Sequence, residues 1–472
     1  MSYLPVIIVP GLGQSKLSVV NENGEKVKNA WPVDIDTNSV VNDLKSSLMK
    51  MMLFRKDAGF SDKIASVVKS ACEPLSLDMN GRKKHNVKPE SFEKSYSECT
   101  SDEKKYLYKI MPVEKLGEKI GEDKLFFFSY DFCSDVYDVA EKLNDFICFV
   151  KKKTNSEQVN ILTLNIGGVI VKAYFDLFAD NNDICKTVNF TSVLNGTSLA
   201  ADIFEDKLLL DNPTSLFSAV GGKAQSFSSI AGMLPADIIE NTVVKSLAVL
   251  KENLILRCTI MWGCISTDRF SSVFDKYSNM SDELKTKINR FYNYSACFSE
   301  KAKKICDDGV KFYQICGYGK GILPICQSRD IQSDGIIDTA SSSFSLKSVS
   351  IDEKPDASYS VFPERTWFFK DMSHNNAIYN DVAVSLACDI LSGEVDSVCE
   401  KYPQFNGSRN IKKLKNELIP KAEIAIGNDE NADELKNAVS EYEKILSNTV
   451  IDNDVDINEL ESRLSTLLES KN

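Results

Sequence analysis

The feature that most constrains this chain is a mostly apolar run that ends in a glycine-backed turn. Residues 159–164 read VNILTL, and Asn165 and Ile166 lead from this run into the pair Gly167 and Gly168. Such a run before a turn is typical of a buried strand, and adjacent glycines allow a following helix to pack closely against the strand. The pattern therefore predicts a strand, a sharp turn and a helix, with Asn165 at the turn.

Strand-like and helix-like segments alternate around this unit. Strand patterns cover residues 6–9, 125–131, 187–193, 310–317 and 365–369, and helical spacing covers 136–152, 168–179 and 377–391. This alternation is typical of parallel strands joined by helical crossovers. We predict an α/β fold with a mostly parallel sheet and helices on both faces.

Composition argues against several classes of function. The 472 residues carry a formal net charge of −12, and this charge disfavours both nucleic-acid binding and strong attraction to anionic membranes. No stretch reaches the roughly 18 apolar residues of a membrane-spanning helix, and no basic leader precedes the first apolar run. We expect a soluble, cytoplasmic protein.

Metal binding is also disfavoured. His85 and His374 are the two histidines of the chain, and its 13 cysteines form no CxxC or Cys/His ligand spacing. Zinc sites usually combine these residue types at short spacings. We expect no metal and no other cofactor, and we expect the cysteines to be reduced.

Asn165 stands where strand-to-helix turns of this kind carry a nucleophile. In the G-x-S-x-G turn a serine hydroxyl stands above the sheet, whereas here Thr163 takes the first glycine position and Asn165 the serine position. An amide has no proton that a histidine can usefully remove, and its nitrogen lone pair is delocalised. Nucleophilic catalysis by Asn165 is therefore chemically implausible.

The remaining members of a hydrolase triad are present in the expected chain order, which is nucleophile, acid and histidine. Asp334 lies in the glycine-bearing segment SDGIID after one predicted strand, and His374 lies in DMSHNN after the last. Both follow strand ends, where α/β sheets build their sites. We predict that Asp334 and His374 descend from the acid and base of a triad.

An oxyanion hole requires backbone N–H groups that point at the developing charge. The candidates are Leu12, in the turn PGLG at 10–13, and Ile166, directly after Asn165. Their alternative roles are an ordinary strand-end turn and a helix start.

Taken together, these segments resemble the lecithin:cholesterol acyltransferase family of α/β-hydrolases, which includes phospholipid:diacylglycerol acyltransferases and lysosomal phospholipase A2. The matching segments span residues 3–395. They are PVIIVPGLGQSKL at 5–17, AWP at 30–32, YDF at 130–132, LNIGG at 164–168, FYQICGYG at 312–319, DG at 334–335 and SH at 373–374.

The resemblance implies an eight-stranded-type sheet, an acyl-binding cleft under a cap, and transfer of a fatty acyl group from a phospholipid or other ester to an alcohol or water. It also implies that Asn165 stands at the nucleophile position, Asp334 at the acid and His374 at the base. The chain departs from the family pattern at 163–164, where TL replaces glycine and histidine, and at 132–133, where FC replaces tryptophan and arginine.

The predicted domain organisation is an α/β-hydrolase domain over 1–400 and a C-terminal helical bundle over 405–472. Within the first, we expect a cap insertion at about 198–304 and a lid or insert at about 30–120. The apolar stretches 48–54, 230–234 and 260–262 either form a lid that meets lipid interfaces or pack in the core. The C-terminal helices are either a packing module or a docking site for a partner that the sequence does not identify.

Two functions stay open from the residues. In the first, the protein is a catalytically silent homologue that binds a lipid, an acyl ligand or a partner. In the second, it is an active lipid acyltransferase or phospholipase-type esterase that uses Asp334 and His374 with a non-standard nucleophile or a water molecule.

Overall fold

The computed structural model of the chain describes residues 3–33, 44–47, 49, 53, 56–208, 235–351, 353, 355–394, 417–427, 432–446, 450–451 and 457–470. The stretch 230–234 and most of the stretch 48–54, named above as lid or core segments, lie outside these residues. Among the helices described, none is both long enough and apolar enough to cross a bilayer.

The strands are numbered in chain order. They are β1 (Val6–Val9), β2 (Leu17–Val20), β3 (Lys26–Trp31), β4 (Val87–Pro89), β5 (Leu125–Phe127), β6 (Val159–Asn165), β7 (Ile184–Ser192), β8 (Lys311–Tyr318), β9 (Lys320–Gly321), β10 (Gln332–Ser333), β11 (Thr366–Lys370) and β12 (Val450–Ile451).

The helices are numbered in the same way. They are α1 (Phe60–Cys72), α2 (Ser101–Tyr108), α3 (Glu114–Ile120), α4 (Val136–Thr154), α5 (Gly167–Phe178), α6 (Ser198–Glu205), α7 (Ala236–Asn253), α8 (Thr259–Trp262), α9 (Phe270–Lys276), α10 (Asp282–Ala296), α11 (Phe298–Asp307), α12 (Thr339–Ser342), α13 (Asp381–Ser392), α14 (Ile419–Gly427), α15 (Asp433–Leu446) and α16 (Ile457–Glu469).

In the described part of the chain, seven strands form one central sheet in the order β5-β1-β6-β7-β8-β11-β12. Every neighbouring pair in this sheet is parallel. Parallel neighbours require crossovers, and helices such as α4 and α5 supply them. The α/β fold class predicted from the sequence is confirmed.

Successive strand residues point to opposite sides of the sheet. In β1 the residues on both sides are buried against helices. Ile7 and Val9 of β1 pack with residues of α4 and α5 on one face. Val6 and Ile8 pack with residues of α3 and α13 on the other face. All four side chains are fully buried, so β1 lies in the middle of the core and its carboxyl end is fixed.

Two parts of the sheet architecture were not predicted. Strands β3, β2 and β4 form a separate antiparallel sheet, and β4 lies in the region after residue 30 that shows no regular strand spacing. Most of β3 is exposed or half-buried, and register shifts interrupt its pairing with β2, so neither strand leaves a clear alternating pattern. In addition, β12 pairs with β11, which lengthens the sheet beyond its predicted last strand.

The helices α6 to α11 lie between β7 and β8 in the chain. In this segment Ile260 and Trp262 of α8 are buried, so this apolar stretch packs in the core. The helices α14, α15 and α16 share a small core of their own that includes Leu435, Tyr442 and Leu464.

Candidate active site

The turn at Asn165 joins the central strand β6 to helix α5. Asn165 has φ of 51°, which lies in the left-handed region that asparagine tolerates better than most residues. Helix α5 begins at Gly167, where a Cβ atom would lie 2.6 Å from the carbonyl oxygen of Val9. The glycine therefore permits the helix to start directly against the end of β1, which holds Asn165 above the sheet.

The replacement of glycine by Thr163 is accommodated in the core below the turn. Thr163 is fully buried, and its hydroxyl donates to Oδ1 of Asn189 at 2.9 Å and lies 2.7 Å from the hydroxyl of Ser192. Both partners belong to the neighbouring strand β7. The polar side chain is thus satisfied by hydrogen bonds within the sheet.

Asp334 lies directly after β10, in a loop that holds its carboxylate rigidly. The residue is 1% exposed, and Oδ1 accepts hydrogen bonds from the backbone N–H groups of Ile336 at 3.0 Å and Ile337 at 2.8 Å. These two bonds leave Oδ2 to face His374.

His374 follows β11 and begins a short 3₁₀ helix. Its backbone N–H donates to the carbonyl oxygen of Asp334 at 2.9 Å, and its Nδ1 lies 2.8 Å from Oδ2 of the same residue. Gly317 permits this approach, because a Cβ atom there would lie 2.4 Å from the carbonyl oxygen of Met372 and 2.8 Å from Cβ of Asp334. The end of β8 therefore brings the two loops together.

The side chain of Asn165 completes this arrangement. Its Nδ2 atom lies 2.8 Å from Nε2 of His374. Its Oδ1 atom accepts from the backbone N–H of Ile166 at 2.7 Å and, at the longer distance of 3.4 Å, from that of Leu12. With Oδ1 facing two N–H groups, the amide is oriented as its hydrogen-bonding chemistry requires, since Nδ2 can only donate.

Burial and charge act on His374 in opposite directions. Burial lowers its pKa, whereas the negative charge of Asp334 and the hydrogen bond to it raise the pKa, and the net result lies above the ordinary histidine value. A histidine next to a buried carboxylate is a frequent arrangement at functional sites.

All five predicted site residues thus lie together: the side chains of Asn165, Asp334 and His374, and the N–H groups of Leu12 and Ile166. The catalytic roles assigned to them stay predictions. Among the described residues, no group of three or more His, Cys, Asp or Glu side chains has an arrangement suited to a metal ion.

Sequence analysis missed two residues that shape the loop bearing Leu12. The Gln14 side chain accepts a hydrogen bond from the N–H of Gly11, so that this N–H is not directed at Asn165. The indole of Trp31 donates to the carbonyl oxygen of Gly13 at 2.6 Å. Both lie in the segments that carry the family resemblance, but a sequence pattern does not say which backbone group a side chain meets.

No family model matches the chain, and no curated protein matches it. One solved structure that it resembles is described as the crystal structure of the Tle4–Tli4 complex, with 11% sequence identity and a TM-score of 0.31. The match covers 84% of this chain and 98% of that one. At this identity and TM-score the likeness supports no inference about function.

Proposed function

We propose that this protein is a catalytically silent α/β-hydrolase homologue of the lecithin:cholesterol acyltransferase type, which acts by binding a lipid or acyl ligand and not by turnover. The observation that carries the proposal is the hydrogen bond between Nδ2 of Asn165 and Nε2 of His374. In a hydrolase, the base at this position accepts the proton of a nucleophile. Here its partner is an amide, which has no nucleophilic lone pair to release.

The alternative is an active esterase in which His374 activates a water molecule or another nucleophile. The geometry favours this alternative less, because the lone pair on Nε2 already accepts from Asn165. A water molecule would have to displace the Asn165 amide before His374 could remove its proton.

Two observations support an apolar or acyl ligand. The resemblance to a lipid acyltransferase family includes the PGLG turn and the segments that bear the acid and base. In addition, Leu12 is 49% exposed although its backbone N–H contacts the site, so an apolar residue is exposed beside Asn165. Native mass spectrometry of the purified protein tests this part, since a protein that neither carries nor accepts a lipid would contradict it.

The catalytic part is tested by hydrolysis of p-nitrophenyl acyl esters. We expect the wild type to be inert, Asn165→Ser to gain activity, and the added substitution His374→Ala to abolish that gain. This pattern would mean that the site lacks only its nucleophile. Ester turnover by the wild type that His374→Ala abolishes would instead establish the esterase alternative.

We also propose that residues 198–304 form a cap and that residues 405–472 form a separate helical unit. The self-contained core of α14, α15 and α16 supports the second proposal. Limited proteolysis is expected to release a stable fragment that ends near residue 400. Cleavage within 1–394 before any cleavage at 395–416 would contradict this boundary.

A further inference from the structure

The oxyanion donors of the site are already engaged. The N–H of Ile166 donates to Oδ1 of Asn165 at 2.7 Å, and the N–H of Leu12 points at the same atom from 3.4 Å. The donors of an oxyanion hole are useful because they are free to meet a substrate oxygen. In this protein the side-chain oxygen of Asn165 lies where that oxygen would bind.

The same side chain also engages the base. Nδ2 of Asn165 donates to Nε2 of His374, and His374 in turn contacts Asp334 through Nδ1. One planar amide therefore joins the oxyanion donors to the acid–base pair. The N–H groups of Leu12 and Ile166 and the Nε2 atom of His374 thus all have Asn165 as their partner.

We propose that Asn165 is a built-in occupant of the oxyanion hole, which excludes ester carbonyl and carboxylate oxygens from the site. The inference rests on the proposed function and narrows the ligand class. A ligand of the wild-type protein is then held through its apolar chain, and not by a carbonyl or carboxylate oxygen at the N–H groups of Leu12 and Ile166.

The local packing supports a fixed position for the amide. A Cβ atom on Gly11 would lie 2.7 Å from Cβ of Asn165, so the PGLG turn fits closely against this side chain. The N–H of Gly11 is taken by Gln14, and the backbone of Asn165 is in the left-handed region. To free the donors, the amide would have to give up its contacts with Ile166, Leu12 and His374 together.

Three substitutions at Asn165 compare proteins in which the N–H groups of Leu12 and Ile166 are free with proteins in which a side-chain oxygen occupies them. Asn165→Gly removes the side chain and suits the positive φ. Asn165→Ala removes the amide while keeping Cβ, so it provides a second open variant if the glycine variant folds poorly. Asn165→Asp is the control, because its carboxylate has nearly the shape of the amide, keeps an oxygen at the donors and is also tolerated at positive φ.

The probes are sodium octanoate and 1-octanol, which have chains of the same length and differ in the head group. Calorimetry gives the Kd of each, and the amide proton and nitrogen shifts of Leu12 and Ile166 report whether an oxygen binds there. We expect octanoate to bind the Gly and Ala variants at least about tenfold more tightly than the wild type, since two charge-assisted hydrogen bonds become available.

In those open variants, octanoate should shift both amide signals, whereas in the wild type and in Asn165→Asp both signals should stay in place. The Kd of octanol should change less than that of octanoate across the four proteins, since a neutral hydroxyl is a weaker acceptor than a carboxylate. The proposal would be overturned if octanoate shifted both amide signals of the wild type and bound it with the same Kd as the Gly variant. Octanoate that fails to reach these amides in either open variant would overturn it as well.

These outcomes are distinct from failure of the proposed function. Ester turnover by the wild type would contradict catalytic silence, and it is measured without any octanoate. Equal octanoate binding by wild type and open variants, in a protein that stays inert to esters, would contradict only the occupancy of the hole.

Discussion

The side-chain nitrogen of Asn165 lies 2.8 Å from Nε2 of His374, and this contact determines the state of the imidazole. An amide nitrogen donates and does not accept, so Nε2 must carry the lone pair. The proton of the neutral ring is then on Nδ1, where it is donated to Oδ2 of Asp334 at 2.8 Å. The histidine has the tautomer that a general base requires, but its acceptor atom is already occupied.

Removal of the amide should make His374 easier to protonate. The Asn165 donor favours the neutral ring, whereas the Asp334 carboxylate favours the charged ring and raises the pKa of His374. In Asn165→Ala we expect the pKa of His374 to rise further than in the wild type. Nitrogen NMR of labelled histidine gives both values, with His85→Gln used to assign the signals. A lower pKa in Asn165→Ala would show that the amide does not act on the ring in this way.

Loss of the Asp334 carboxylate should reduce the free energy of unfolding more at low pH than at high pH. Because the pKa of His374 is raised on folding, its contribution to the free energy of unfolding is fully present below the unfolded pKa of about 6.5 and is lost as the pH rises through the folded pKa. In Asp334→Asn, burial still lowers the pKa of His374, but the negative charge that raised this pKa is gone. We therefore expect a larger loss of stability at pH 6 than at pH 9, measured by urea unfolding. Equal losses at the two pH values would argue against this linkage.

The close contact at the start of α5 predicts that any side chain in place of Gly167 destabilises the protein. In Gly167→Ala the new Cβ would lie 2.6 Å from the carbonyl oxygen of Val9, so the backbone must shift. We expect a loss of about 1–3 kcal/mol in the free energy of unfolding, as for other overpacked positions. Gly427→Ala is the control, since a Cβ there meets nothing within 4 Å. A Gly167→Ala protein as stable as this control would mean that the turn is less tightly packed.

The sequence was sufficient to predict the parallel sheet, because β1 is entirely apolar, β6 is mostly apolar, and well-patterned helices alternate with the strands. The proximity of Asp334 and His374 could be predicted because each follows a strand end in a characteristic order. The contact of Asn165 with both Ile166 and Leu12 could not be predicted. It depends on how closely the PGLG turn approaches β6 in space, and spacing along the chain carries no such information.

A buried lysine on α5 gives a final, independent prediction. Lys172 lies on α5, is 1% exposed, and donates to the carbonyl oxygen of Leu194 and the hydroxyl of Ser295, each at 2.6 Å. Burial lowers the pKa of Lys172 to about 7. Between this value and the unfolded pKa of 10.5, the unfolded state holds the extra proton, so stability should rise with pH by up to about 1.4 kcal/mol per pH unit.

Lys172→Met keeps most of the buried volume and removes the titrating group. We expect this variant to lose the rise in stability between pH 7 and pH 9, and the exposed substitution Lys311→Met to retain it. At pH 7 the variant should also be the more stable protein, provided that the two lost hydrogen bonds cost less than the burial of the amine. Urea unfolding at both pH values measures these differences. If the stability of Lys172→Met depends on pH as that of the wild type does, the rise in stability between pH 7 and pH 9 comes from other groups.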